Sequence, residues 1–257
     1  MSDNDIIIYG KHPVIHALKN ANRNVIILYM TERVASDKEL QGILESKEIK
    51  KKRFITKIVD KKFLDKLCGG NSIENTNILH QGIAILAKTL EEISIYEFLK
   101  KINEKERSLV LCLDHVKDPH NIGAILRNAA AFDVDGVILT KYNSPDESSV
   151  IAKTACGALD MVPIITVTNL VQTMELMKKQ GFWSYGMSLT HKNKQNIYDI
   201  KFSQKSLVIF GNEGVGLRQL THEKIDYPIY IPMKNIDSLN VSSSSAVLLF
   251  AMSNNKN

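Results

Sequence analysis

Hydrophobic positions along the first 90 residues fall into two alternating spacings. Four short runs rich in Ile and Val, "IIIYG", "NVIILYM", "KRFITKIV" and "QGIAILA", are bounded by polar or turn-forming residues and predict strands. Between them "KHPVIHALKN", "SDKELQGILESKE" and "DKKFLDKLCGG" set apolar residues three and four apart, with Ser or Asp caps and a terminal Gly-Gly, and predict helices. The result is a small α/β unit, assigned to residues 1–88. The stretch "LEEISIYEFLKKINEKERS" (90–108) keeps a helical spacing but grows increasingly charged, and residues 89–108 are expected to be a connector without a core of its own.

From residue 109 strand and helix patterns alternate. The strands are expected at "LVLCLD", "GVILT", "VPIITV", "FWSYGMSL", "SLVIFG" and "YPIYIP", and the helices at "NIGAILRNAAAFD", "SSVIAKTACGA", "NLVQTMELMKKQ" and "VSSSSAVLLFAMS". Strands this apolar predict an α/β domain over 109–257 with a mainly parallel sheet covered on both faces. Ligands of open parallel sheets bind beyond the carboxyl ends of the strands. The residues just after each strand are therefore the ones to inspect.

Composition narrows the classes. The 44% hydrophobic and 24% charged content over 257 residues suits a folded protein with a real core. The acidic start "MSDNDIIIYG" is unlike a signal peptide, and apolar runs such as "AVLLFAM" (246–252) are far too short to span a bilayer, so a cytoplasmic protein with no membrane partner is expected. Cys68, Cys112 and Cys156 are widely spaced and odd in number, which predicts free thiols, and the seven histidines form no ligand cluster, so no metal is expected. A net charge of +5 is compatible with an anionic partner without requiring one. More local is "KEIKKKRFITKIVDKKFLDKL" (47–67), with nine Lys and Arg among apolar positions, which suits a solvated face or an RNA-contacting one.

Three places after strands carry candidate chemistry. In "DPHNIGAILRNAAAFDVDGVIL" (118–139), Asp118-Pro119 makes a turn, Asn121 sits near a helix start, and Arg127 follows about two turns on, a spacing expected to bring both side chains to one mouth. A cap and a surface Arg would explain the pair; so would an Arg held rigidly to grip a phosphate. In "LVIFGNEGVGLRQL" (207–220), the strand runs into Gly211, Asn212, Glu213, Gly214 and Gly216, which suits either a sharp strand-to-helix turn or a backbone approached closely by a ligand. It matches neither the dinucleotide fingerprint nor a Walker loop. In "YIPMKNIDSLNVSSSSAVLLFAM" (230–252), a polar loop leads to a helix near Val241 with Asn240 or Ser242 as cap. Four consecutive serines are unusual in a helix, and allow either close packing or close approach of a ligand or second subunit.

In this order and after strands, the three segments resemble motifs 1, 2 and 3 of the SpoU (TrmH-like) group of the SPOUT RNA methyltransferases. The resemblance covers 109–253 closely. It extends to "IIIYGKHPVIHALKN", which is similar to the start of the L30e-like RNA-binding domain of bacterial enzymes in the group. "AKTACGALDMVPIITVTNL" (152–170) further resembles the 23S ribosomal RNA guanosine 2'-O-methyltransferase branch.

The resemblance implies a carboxy-terminal SPOUT α/β knot, a parallel sheet whose last segments form a trefoil knot, preceded by a small L30e-like α/β domain. It implies a homodimer, a ribosomal RNA substrate and S-adenosyl-L-methionine as cofactor, held by Gly186, Gly211, Gly216, Ile231, Leu239 and Asn240. Arg127 matches the family's catalytic arginine, and Asn121, Glu213, Ser238 and Asn240 match the polar residues around it. A guanidinium essentially never deprotonates in a protein. Arg127 is therefore expected to position and stabilise charge, with Glu213 next considered as proton acceptor. Asp237 and the serine run depart from the usual family pattern. Transfer RNA as substrate and a non-catalytic RNA-binding factor are the alternatives, and an oxidoreductase lacks the glycine fingerprint.

Overall fold

The structure, a computed structural model, describes residues 4–69, 79–142, 144–212 and 214–254. It divides into two compact units, 1–91 with 146–161, and 92–145 with 162–257. In chain order the first 91 residues form β1 (Asp5–Tyr9), α1 (Lys11–Lys19), β2 (Val25–Met30), the short helices α2 (Glu32–Ala35), α3 (Lys38–Leu44) and α4 (Lys47–Lys50), β3 (Ile55–Ile58), α5 (Lys61–Gly69) and β4 (Ile83–Lys88). The sheet order is β1-β4-β2-β3, antiparallel except for β2 with β3. Ile8, Val14, Leu18, Leu28 and Ile85 are all buried in this unit. All four residues of β3, the edge strand, are exposed.

The second stretch contributes α6 (Ile95–Ile102), β5 (Ser108–Asp114), α7 (Pro119–Ala131), β6 (Gly136–Thr140), α8 (Ser149–Thr154), a 3-10 turn (Ala158–Asp160), β7 (Ile164–Val167), α9 (Leu170–Lys179), β8 (Trp183–Met187), β9 (Gln195–Asn196), β10 (Lys205–Gly211), α10 (Gln219–Lys224), β11 (Tyr227–Tyr230) and α11 (Val241–Asn254). Seven strands form one sheet in the order β7-β6-β5-β10-β8-β11-β9, with every adjacent pair parallel. The predicted parallel sheet is thus present, and its central strands β5 and β10 are almost wholly buried, as their unbroken apolar sequences require.

Two expectations need correction. The stretch 89–108 has a core after all: Ser94 and Glu97 form a capping box that starts α6, and the helix buries Phe98, Leu99 and Ile102 among Val110, Ile138 and Ile165 of the second unit. Charge rises only on its outer face, which hid the apolar stripe. The second correction is that α8 and the 3-10 turn pack in the first unit although they lie between β6 and β7 in sequence. Arg23, fully buried, donates from Nε to Asp160 at 2.8 Å and from Nη1 to Glu147 and to the Lys88 carbonyl. The Ala-Cys-Gly segment also serves this packing. Gly157 has φ +100°, and a Cβ there would lie 2.4 Å from the His16 ring.

None of Cys68, Cys112 and Cys156 forms a disulfide, and burial pushes the Cys68 thiol up to about 12. Among the described residues no group of His, Cys, Asp or Glu is arranged to hold a metal, and no helix is long and apolar enough to cross a membrane.

Candidate active site

The three sequence segments meet beyond the carboxyl ends of the parallel strands. Asp118 caps α7 by accepting the His120 N–H at 2.9 Å, with Pro119 occupying the first helical turn where a missing N–H does no harm. That start places Asn121, 6% exposed, against the third segment: Asn240 Nδ2 donates to Asn121 Oδ1 at 3.0 Å, and Asn121 Nδ2 donates to Asp118 at 3.2 Å. Asn240 also caps α11, its Oδ1 accepting the Ser242 N–H at 2.8 Å. One amide pair therefore joins the first helix of the site to its last.

A second junction ties the first segment to the glycine loop. Asp114, fully buried at the end of β5, accepts from Arg218 Nε at 2.6 Å, from the Arg218 N–H at 3.2 Å and from Thr221 Oγ1 at 2.9 Å. Next to it the His115 carbonyl accepts from Asn212 Nδ2 at 2.8 Å. Burial holds the His115 imidazole below its ordinary pKa, and the Arg218 and Lys117 charges push the same way.

The loop itself is closed by reciprocal backbone bonds between Asn212 and Gly216, at 3.0 and 2.9 Å. Gly211 is required there because a Cβ would fall 2.2 Å from the Gly216 backbone. Gly214 and Gly216, with φ +99° and +74°, meet no neighbours where a side chain would be, so their role is conformational. Glu213 lies outside the described residues.

The positions expected to hold a cofactor fall at the ends of three neighbouring strands. Gly186 lies near the end of β8, Gly211 ends β10, and Ile231 follows β11. Gly186 is buried and Ile231 is 6% exposed; Leu239 is half-buried, and Gly216 and Ser238 are exposed. The exposed Gly216 backbone, in the loop after β10, and the buried Ile231 after β11 suit an adenosine, whose base needs flat contact and a few backbone partners. Gly186 has a packing reason as well, since a Cβ would lie 2.7 Å from Ile225.

Arg127 departs from the spacing argument. At about 100° per residue, six positions carry a side chain about 240° round the helix axis, and Arg127 is exposed where Asn121 is buried. The two do not share a face of α7. The serine run is explained by packing: Asn128 Nδ2 on α7 donates to the Ser242 carbonyl at 3.0 Å and to Ser245 Oγ at 2.9 Å, with Ser245 fully buried. Small residues let α11 approach α7 closely.

Sequence reasoning missed Asp114, Arg218 and Thr221, and named Asn212 without its bond to the His115 carbonyl. The signal was present in "LVLCLD", where a carboxylate ends a strand otherwise built for burial and so demands a partner.

Comparison with known proteins matches residues 108–250 to the SpoU rRNA Methylase family and residues 7–93 to the family described as RNA 2'-O ribose methyltransferase substrate binding. A 23S rRNA (guanosine-2'-O-)-methyltransferase RlmB of Coxiella burnetii is 35% identical over 245 residues, 95% of this chain and 93% of that one. A Staphylococcus aureus relative, named provisionally as a TrmH family tRNA/rRNA methyltransferase, is 35% identical over 250 residues, 96% of this chain and 94% of its own. The crystal structure of the SpoU methyltransferase AviRb from Streptomyces viridochromogenes, in complex with AdoMet, superposes with a TM-score of 0.77 at 19% identity, covering 98% of this chain and 90% of that one.

Proposed function

We propose that this chain, which belongs to the SpoU rRNA methylase family and is an RNA methyltransferase, methylates the ribose 2'-hydroxyl of a guanosine in 23S ribosomal RNA. The observation that carries the reading is the meeting of the three segments at the strand ends, with Asn121 bonded to Asn240 and Asn212 bonded to the backbone beside Asp114. The choice of substrate is supported by the RlmB relative, whose likeness runs through both units.

S-adenosyl-L-methionine, the cofactor of this family, supplies a methyl group already activated for attack. The protein must orient a hydroxyl and help it lose its proton. Backbone groups at Gly186, Gly211, Gly216, Ile231 and Leu239 would hold the adenosine end, with Asn240 fixing the loop that follows β11. Asn121 and Asn240 bond each other, so the hydroxyl's position is set by a rigid amide pair rather than by two free side chains. The Arg127 guanidinium steadies the target phosphate and the developing charge. Ser238 and Glu213 complete the polar set, Glu213 as the candidate proton acceptor.

The first 91 residues deliver the RNA, as the substrate-binding family match to residues 7–93 suggests. Two further features of the family are part of the proposal. The strand order, with β10 between β5 and β8 and β11 beyond β8, is compatible with a threaded, knotted end. Exposed Val215, Leu220 and Phe250, at 82, 66 and 59%, offer apolar area for a second copy of the chain.

Labelled S-adenosylmethionine offered with protein-free 23S ribosomal RNA, 16S ribosomal RNA and total transfer RNA tests the reading. Label on 23S RNA that blocks alkaline cleavage at one guanosine is the expected result. Label on transfer RNA alone would overturn the substrate and keep the chemistry. Absence of cofactor binding would overturn the enzymatic reading.

A further inference from the structure

We propose that Arg218 is a substrate-binding residue that grips a phosphate of the RNA, pre-oriented by the buried carboxylate of Asp114. The assignment rests on the RNA methyltransferase reading of this site and adds a contact to it.

The geometry separates the two ends of the Arg218 side chain. Its Nε and its backbone N–H are taken by Asp114, a carboxylate with no exposed surface. The side chain is nevertheless 42% exposed, and among the described residues neither Nη atom has a hydrogen-bond partner. A guanidinium anchored at Nε and open at both Nη atoms is a fork whose direction is already fixed. It lies two residues beyond Gly216, next to the loop that closes on Asn212. Such a fork matches a phosphate's paired oxygens and needs no further ordering on binding.

Asp114 makes little sense as a stabilising device alone. An apolar residue at the end of a buried strand would fill the same space without desolvating a charge, and buried ion pairs are often no more stable than such a replacement. What the carboxylate does accomplish is to hold Arg218 and, through Thr221, the start of α10 in register with β5. Lys117 and Arg218 both lower the pKa of the His115 imidazole, with Asp114 opposing them. The neutralising charge of Asp114 is buried beneath the fork. The pair therefore offers directional donors at the surface more than a long-range field.

Arg218→Lys is the informative variant, since its ammonium can replace Nε on Asp114 but cannot present the planar pair of Nη donors to a phosphate. Arg218→Lys should melt within a few degrees of the wild type, whereas Arg218→Gln, the second variant, leaves the buried Asp114 carboxylate without its counter-charge and should melt lower while still folding; both should keep their S-adenosylmethionine Kd within about twofold. The measurement is binding of protein-free 23S ribosomal RNA from about 50 to 200 mM salt, together with steady-state methyl transfer. Loss of one phosphate contact should lower the slope of log K against log salt by about 0.7–0.9. The RNA KM should rise about 10- to 100-fold with kcat largely retained.

An unchanged slope and KM in folded variants would make Arg218 structural and overturn the assignment. So would a cofactor Kd weakened as much as the RNA affinity. Wild-type protein that binds RNA yet transfers no methyl group would sink the enzymatic reading alone, with the slope comparison still deciding Arg218. Wild-type protein that binds no RNA would overturn both.

Discussion

Replacing Arg23 with Met strands two buried carboxylates in the first unit. The Arg23 side chain has no exposed surface, Asp160 is 2% exposed and Glu147 13%, and the guanidinium also serves the Lys88 carbonyl at 3.0 Å. Removing one partner of a buried ion pair costs about 3–5 kcal/mol, because the partner left behind has lost its water without keeping its counter-charge. The wild type already bears one flaw, a buried Arg23 Nη2 with no partner among the described residues. That places the expected loss near the lower end, at about 3 kcal/mol. For a unit of roughly 100 residues this corresponds to a drop in Tm of about 12–24 °C. Calorimetry should show the transition of the first unit moving down by that amount, with limited proteolysis opening residues 146–161 below it. Adding Glu147→Gln and Asp160→Asn should recover part of the loss by removing the stranded charges. A shift of less than about 1 kcal/mol in Arg23→Met, or no recovery in the triple variant, would refute the reasoning.

Other expectations follow from the same structure. Arg127→Ala should keep S-adenosylmethionine binding by calorimetry while methyl transfer falls by about 100-fold or more, and unchanged turnover would remove Arg127 from the mechanism. Lys52, whose ammonium donates to the Ala17, Asn20 and Arg23 carbonyls, belongs to the scaffold rather than the RNA face. Lys52→Met should therefore cost about 1–3 kcal/mol in urea denaturation without altering the salt dependence of RNA binding, whereas exposed Lys57→Ala should do the reverse. Burial alone would raise the Asp226 carboxyl, but bonds from Lys178 and Ser184 bring its pKa below the ordinary value. Its contribution is then fully present above about pH 4 and lost as pH falls through the lower folded-state pKa. Urea midpoints from pH 6 to 2 should show a shallower acid-side fall in Asp226→Asn, and parallel curves would contradict the linkage.

Most elements were legible because their hydrophobic spacing is clean. The runs of β1 to β8, β10 and β11 were anticipated to within a few residues, as were α1, α7, α9 and α11. What escaped has identifiable causes. The six residues of α10 have no apolar period to betray a helix, and β9 is only two residues long. The packing of α8 with the first unit is a long-range pairing that spacing cannot reveal, and α6 was misjudged because Lys100 and Lys101 flank its buried face. At the site, glycine, asparagine and the strand ends pointed to the right region. The Asp114 network did not emerge, because an acidic residue at a strand end gives no sign of which distant donor it meets.

The placement of residues 146–161 has a consequence for how the chain is born. As the polypeptide leaves the ribosome, residues 1–91 are made first, but the carboxylates that neutralise Arg23 come only at 147 and 160. At about 5–20 residues per second, the 70 residues between 91 and 161 take about 4–14 s to make. Throughout that interval the leading unit carries an unmatched cation where its interior should close. Its final consolidation must wait until β5, α7 and β6 of the other unit have already emerged, so the two halves mature as interleaved rather than successive products of translation.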